Sequence, residues 1–323
     1  AFFFRARFPR FAGRPMGDVS DSSGDGLDTA SEQRVRDAAA ETLLTWACLP
    51  DSADARHRFD DHNSDVLNCL VAGRQLRVAQ NRARQGELGV TGCCVWDASV
   101  VLARLLEWAE EVRAGNCKAE KSSIASDAVR GRRCLELGAG CGLTGLASAA
   151  LGGLVTLTDR EETLSLLERN VAEFSREHCN KSSSARVRPK RKGGKASPEN
   201  MAVATCTEAP PRACFLDWTE PLDSQLEMEG GERYEIILAA DCLYSLDGAA
   251  ALASVLVQLC LDERSCAQGA RVLLSQELRA PEVLETFLEK VLPLFRAWRL
   301  PPPPTLERAA PCVVVYRLIP RCG

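Results

Sequence analysis

Residues 133–145 read Arg-Cys-Leu-Glu-Leu-Gly-Ala-Gly-Cys-Gly-Leu-Thr-Gly, and residues 155–159 follow as Val-Thr-Leu-Thr-Asp. In order, these spell strand, glycine turn, helix, strand and acid, and no other stretch restricts the fold as much. The apolar run 134–137 predicts a short buried strand. Gly138, Gly140 and Gly142 permit tight turns and a close approach of backbone to a ligand. Residues 144–150 are good helix formers, and Gly152-Gly153 closes them. Asp159 falls where a second parallel strand should end. Open α/β sheets bind ligands at that edge, and an acid there can accept a hydrogen bond from a ribose hydroxyl.

Two cofactor classes compete for such a loop. Gly140-Cys-Gly142-Leu-Thr-Gly145 matches the dinucleotide fingerprint Gly-x-Gly-x-x-Gly. Glu136 argues the other way, because a carboxylate at the strand end would repel a pyrophosphate seated at the helix N-terminus. S-adenosylmethionine carries an ammonium and a sulfonium and no phosphate, so an acidic strand end suits it. It is the expected cofactor, with NAD and an oxidoreductase activity as the rival.

The chain has 323 residues and a formal net charge of −4, which gives no electrostatic basis for a nucleic-acid partner. Its fifteen cysteines are scattered and form no C-x-x-C pair, so no zinc site is expected. Without a secretory signal they read as reduced thiols behaving as small hydrophobes, and the chain is expected to be cytoplasmic. Residues 1–30 are expected to be disordered or an extension of the gene's reading; the basic opening, residues 1–17, leaves organelle targeting open. The longest apolar helix-like run, 249–261, is too short to span a bilayer, so no membrane contact is expected.

Residues 31–94 read as an N-terminal extension and 95–323 as the main domain. In the extension, 31–49 predicts a helix, and 67–80 predicts a hairpin turning at Ala72-Gly73-Arg74, outside the main sheet. A helix over 95–108 precedes a polar connector, 115–130. Then come strand 133–137, helix 143–151, strand 154–158 and helix 161–175, the last with Leu164, Leu167, Val171 and Phe174 on one face. Residues 180–207 interrupt the pattern as a Ser-rich basic insertion, expected to be a solvated loop, with docking or nuclear targeting as the alternative. Alternation resumes with strands 213–218 and 234–240, helix 247–261, strand 270–275, helix 281–295, and strands near 297–300 and 312–319. The result is an α/β fold: a seven-stranded, mostly parallel sheet with helices on both faces, an antiparallel last strand and the hairpin extension.

Four blocks carry a family likeness: Thr91-Gly-Cys-Cys-Val-Trp96-Asp97, Leu135-Glu-Leu-Gly-Ala-Gly-Cys-Gly-Leu-Thr-Gly145, Leu216-Asp-Trp218, and Ile237-Leu-Ala-Ala-Asp241-Cys-Leu-Tyr244. Together they resemble family 16 of the seven-strand protein lysine methyltransferases, a group that modifies chaperones, an AAA ATPase and translation factors. The likeness extends through most of residues 64–319, while the insertions at 112–130 and 180–207 are long for the family. It implies lysine N-methylation of a protein substrate by a monomer. Carried over by position, Trp96 is the cofactor-contacting tryptophan, Gly138, Ala139 and Gly140 form the turn under the methionine part, and Asp159 is the ribose partner. Trp218 and Ala240 border the adenine and methionine regions. Asp241 and Tyr244 match the Asp-x-x-Tyr element beside the transferred methyl.

The chemistry needs a neutral amine, whereas free lysine has a pKa of ~10.4. A nearby sulfonium and desolvation favour the neutral form, and Asp241 can orient the amine by accepting a hydrogen bond. The same carboxylate pulls the amine pKa upward, so positioning is its expected role and Tyr244 would wall the lysine channel. The structural alternative has Asp241 capping the next turn with Tyr244 packed on it. A base methyltransferase would stack its target on a Pro-Pro-aromatic element, and residues 241–244 contain no proline. A cofactor-binding interaction protein without transfer activity is the rival from a different class.

Overall fold

The computed structural model describes residues 32–49, 64–84, 91–116, 123–184, 209–222, 225–226, 233–261, 263–306 and 310–321. The expected N-terminal stretch 1–30 and the insertion beyond residue 184 lie outside them.

In chain order the elements begin with β1 (Gln33–Val35), α1 (Ala38–Ala47), β2 (Val66–Val71), β3 (Arg74–Ala79) and α2 (Asp97–Arg113). The central alternation follows as β4 (Arg133–Leu137), α3 (Leu143–Ala150), β5 (Leu154–Asp159), α4 (Glu161–Ser184), β6 (Arg212–Phe215) and β7 (Ile236–Ala240). The remainder is α5 (Leu246–Cys260), α6 (Glu263–Ala267), β8 (Arg271–Glu277), α7 (Pro281–Val291), β9 (Phe295–Leu300) and β10 (Val313–Pro320). The main sheet has eight strands in the order β1-β9-β10-β8-β7-β4-β5-β6, with β4 through β8 parallel to one another and β10 antiparallel to both neighbours.

The chain winds outward from β4 in two directions, through β5 to β6 and then through β7 to β8. The topological switch therefore lies between β4 and β7, and their carboxyl ends open onto one crevice. Side chains alternate across β4. Cys134 joins the core under α2, α3 and α4, whereas Leu135 and Leu137 join the core under α5 and α7. Helices thus cover both faces, as a parallel sheet requires.

The hairpin of β2 and β3 forms its own two-stranded sheet and turns at Ala72 and Gly73, which take φ of 47° and 74°. Positive φ at both central residues is the turn geometry that matches strand twist. Glu107 on α2 accepts the Ala72 N–H at 2.6 Å and fixes the hairpin over the α2 face.

Differences from expectation are local. Residues 31–49 are not one helix: β1 pairs antiparallel with β9 as an eighth strand, and Asp37 starts α1 by accepting the Ala40 N–H at 2.7 Å. Glu41 on α1 accepts the buried Tyr316 hydroxyl at 3.0 Å, which ties this segment to the sheet. α2 runs on to Arg113, past the expected end at 108, and α7 stops at Val291 because 292–294 turn into β9. Ten of the described cysteines are free thiols, whereas Cys266 is disulfide-bonded, against the expectation that the cysteines stay reduced. Among the described residues no helix is long and apolar enough to cross a membrane.

Candidate active site

The crevice is built on the glycine turn after β4. Gly138 and Gly140 take φ of 61° and 55°, the left-handed region that disfavours side chains. Space is closed as well: a Cβ on Gly138 would lie 3.0 Å from Cys242 Sγ and 3.3 Å from the Trp218 ring, and one on Gly140 would lie 3.2 Å from the Gly92 carbonyl oxygen. Ala139 donates its N–H to the Thr158 carbonyl at 2.9 Å, and Gly140 donates to Asp159 Oδ2 at 2.6 Å. The turn is thereby tied to the end of β5.

Asp159 is half-buried, and its Oδ1 accepts from the Arg160 N–H at 2.7 Å and the Thr163 hydroxyl at 2.8 Å. Oδ2 is left with one further acceptor position by these bonds, suited to a ribose hydroxyl. Trp218, half-buried beyond β6, lies against Gly138, and Ala240 ends β7 with partial exposure. Trp96 precedes α2 and donates its indole N–H to the Thr91 carbonyl at 3.0 Å. These residues border a bare-backbone cradle at the carboxyl edge of β4, β5 and β7, with a carboxylate at the end of β5 that has an acceptor position to spare, and they fit S-adenosylmethionine.

Glu136 departs from its expected role. Its side chain is 1% exposed and turned onto the first turn of α3, where Oε2 accepts the Gly145 N–H at 2.9 Å. Burial pushes its carboxyl up to about 8, against the Gly145 and Thr144 hydrogen bonds that lower it. At neutral pH it is mostly protonated, so it does not present the full negative charge that was to discriminate between cofactors. It anchors the helix that follows the glycines.

Asp241 sits at φ 61° immediately after β7, in a conformation rare for a residue other than glycine. Such outliers persist only where surrounding contacts hold them. Here Arg279 grips both carboxylate oxygens, at 2.8 and 2.7 Å, and the Gln276 side-chain amide donates to Oδ1 at 2.9 Å. Gln276 also accepts the Leu243 N–H at 2.8 Å, pinning residues 241–243. The Asp241 side chain is 2% exposed, whereas Tyr244, at the other end of this turn, is 50% exposed.

Arg279, Gln276, Glu277 and Gly92 are absent from the sequence-derived site. The first three end β8 or lie just beyond it, and the signal for them was a polar Gln-Glu-x-Arg closing an otherwise apolar strand beside β7. The Arg279 guanidinium also donates to Glu277 and lies 4.9 Å from the centre of the Trp96 ring, a cation–π contact. Burial pushes up the Glu277 carboxyl, with Asp241 and Asp97 adding to the rise and Arg279 opposing it. The mouth of the crevice therefore sets Asp241 and Glu277 on one guanidinium, with Asp97 near enough to raise the Glu277 carboxyl.

A parallel sheet wound outward from a glycine turn, with an acid closing the second strand, is shared by S-adenosylmethionine and dinucleotide sites, and the family match decides for the class of S-adenosylmethionine-dependent methyltransferases. The chain matches the lysine methyltransferase family over residues 75–189 and 197–292, and it belongs to that family. The break in the match falls inside the basic insertion. The protein N-lysine methyltransferase METTL21A of Danio rerio is 32% identical over 174 residues, 54% of this chain and 56% of that protein. This chain thus spans little more than half of that relative. EEF1A lysine methyltransferase 3 of Xenopus tropicalis is 27% identical over 75% of this chain and 81% of its own length. Among solved structures, the T. thermophilus 16S rRNA N2 G1207 methyltransferase in complex with AdoMet and guanosine overlaps at a TM-score of 0.42 and 15% identity, covering 79% of this chain and 50% of that one.

Proposed function

We propose that this chain methylates the side-chain amine of a lysine in a protein, and that its substrate is a translation factor of the elongation factor 1A kind. The observation that carries the activity is the Asp241–Tyr244 turn: a carboxylate at the end of β7, fixed by two side chains, beside the glycine cradle. S-adenosylmethionine, when bound, supplies an electrophilic methyl group on a cationic sulfur. The protein's part is orientation. Gly138, Ala139 and Gly140 give backbone approach, Asp159 offers an acceptor for a ribose hydroxyl, and Trp96 and Trp218 wall the cradle. Asp241 accepts a hydrogen bond from the lysine amine and aims its lone pair, while the exposed Tyr244 ring guides the aliphatic stem.

The substrate class is supported by the relatives named for EEF1A, which align over 75% and 73% of this chain. Incubating the purified protein and labelled methyl donor with recombinant elongation factor 1A and, in parallel, with a cell extract tests it. Label on the factor is expected. Label on a different extract protein, with none on the factor, would refute the substrate while leaving the activity standing.

A further inference from the structure

We infer that Arg279 is a positioning residue for methyl transfer, a clamp that fixes the Asp241 carboxylate and the Trp96 ring in one unit and supplies the positive charge that keeps the bound lysine amine neutral. This rests on the lysine methyltransferase function proposed above.

The geometry is that of a two-pronged arginine–carboxylate pair, which sets orientation as well as charge. One nitrogen donates to Asp241 Oδ1 at 2.8 Å and another to Oδ2 at 2.7 Å, while the face of the guanidinium covers the Trp96 indole at 4.9 Å. Trp96 begins α2, Asp241 ends β7 and Arg279 follows β8, so three separate elements meet through one side chain. The two residues assigned to the cofactor side and the amine side of the crevice are thus coupled without touching the ligand through a common surface. The Asp241 backbone, held at φ 61°, depends on these bonds for its conformation.

Charge gives the clamp its second role. The charged groups at this end of the sheet are Asp241 after β7 and Glu277 of β8, both bonded to Arg279, and Asp97 of α2, which raises the Glu277 carboxyl; Tyr244 stands exposed at the other end of the turn after β7. Three carboxylates around an amine would hold it as an ammonium with no lone pair to donate. A charge of the opposite sign within ~4–6 Å shifts a pKa by about 1–3 units. Arg279 cancels part of the carboxylate field where the amine docks, so Asp241 can orient the amine without keeping it protonated.

The test uses the full-length protein, labelled methyl donor and the extract protein that wild type labels. At saturating substrate, kcat reports groups in the bound complex. Arg279→Gln is expected to move the acid limb of kcat upward by about one pH unit, costing roughly tenfold or more near pH 7, with the gap narrowing as pH rises. Arg279→Lys keeps the charge and loses the fork, so its rate should fall with the limb near the wild-type position. A uniform loss at every pH in the Gln variant would overturn the charge role. The clamp has a readout independent of turnover: the Trp96 indole N–H resonance, assigned by its loss in Trp96→Phe, should shift in Arg279→Gln. An unmoved resonance would overturn the coupling. If wild type labels no protein, the functional proposal fails, and the indole resonance still decides whether Arg279 holds Trp96.

Discussion

Replacing Glu136 by Gln should stabilise the protein, increasingly so as pH rises. The carboxyl is 1% exposed, and burial lifts it from 4.5 to about 8. An acid raised on folding contributes stability that is fully present below its unfolded value and is lost as pH climbs through its folded value. Between 4.5 and about 8 lie 3.5 pH units. At ~1.36 kcal/mol per unit, about 5 kcal/mol is at stake, of which about 3 is lost by pH 7. Gln keeps an oxygen for the Gly145 N–H and places an amide beside the Thr144 hydroxyl that already bonds this group, and it does not titrate. Guanidinium unfolding of the cofactor-free protein at a series of pH values measures the difference. The Gln variant should match wild type near pH 4.5 and exceed it by about 3 kcal/mol at pH 7. Its affinity for S-adenosylmethionine should be retained, because the carboxyl faces α3. Parallel pH profiles for the two proteins would refute the reasoning, since they would mean that Glu136 ionises in place at no cost.

Asp241→Asn should keep cofactor affinity by calorimetry while lowering turnover by about a hundredfold, the scale of a positioning error. It should also lower the melting temperature, because Arg279 loses a charge-assisted bond worth about 1.5–3 kcal/mol; full turnover would reduce Asp241 to a cap. Gly92→Ala would place a Cβ 2.5 Å from Thr163 Cγ2 and 3.0 Å from Gly140 Cα. Its affinity for S-adenosylmethionine should weaken by about tenfold, 1.4 kcal/mol, and an unchanged dissociation constant would show that the 92–140 contact does not shape the cradle. Tyr244→Phe should leave turnover close to wild type, because the ring walls the channel; a collapse of kcat would assign chemistry to the hydroxyl instead.

The central alternation was legible because its strands are short apolar runs and its glycines stand where only a left-handed backbone closes the turn. The hairpin was legible for the same reason at Gly73. β1 was not, because a three-residue strand has no period of its own and its partner Arg299 is far away along the chain. Asp159 and the Gly138–Gly140 turn lie together as their spacing implied. Glu136 differs from expectation because strand alternation shows that it shares a face with Cys134, not that α3 covers that face. Arg279 is signalled only by the polar Gln-Glu-x-Arg that closes an apolar strand, and its role depends on a side chain reaching across from β8 to β7 and α2. No local pattern encodes that reach.

The most direct measurement is the chemical identity of the residue that receives the methyl group. The purified protein is incubated with labelled S-adenosylmethionine and an extract lacking this enzyme, and the labelled product is hydrolysed to amino acids and resolved against standards. Label in methylated lysine, abolished in Gly140→Arg, is the predicted result. Label in nucleotides, or in another amino acid with none in lysine, would contradict the assignment of the crevice to a lysine amine.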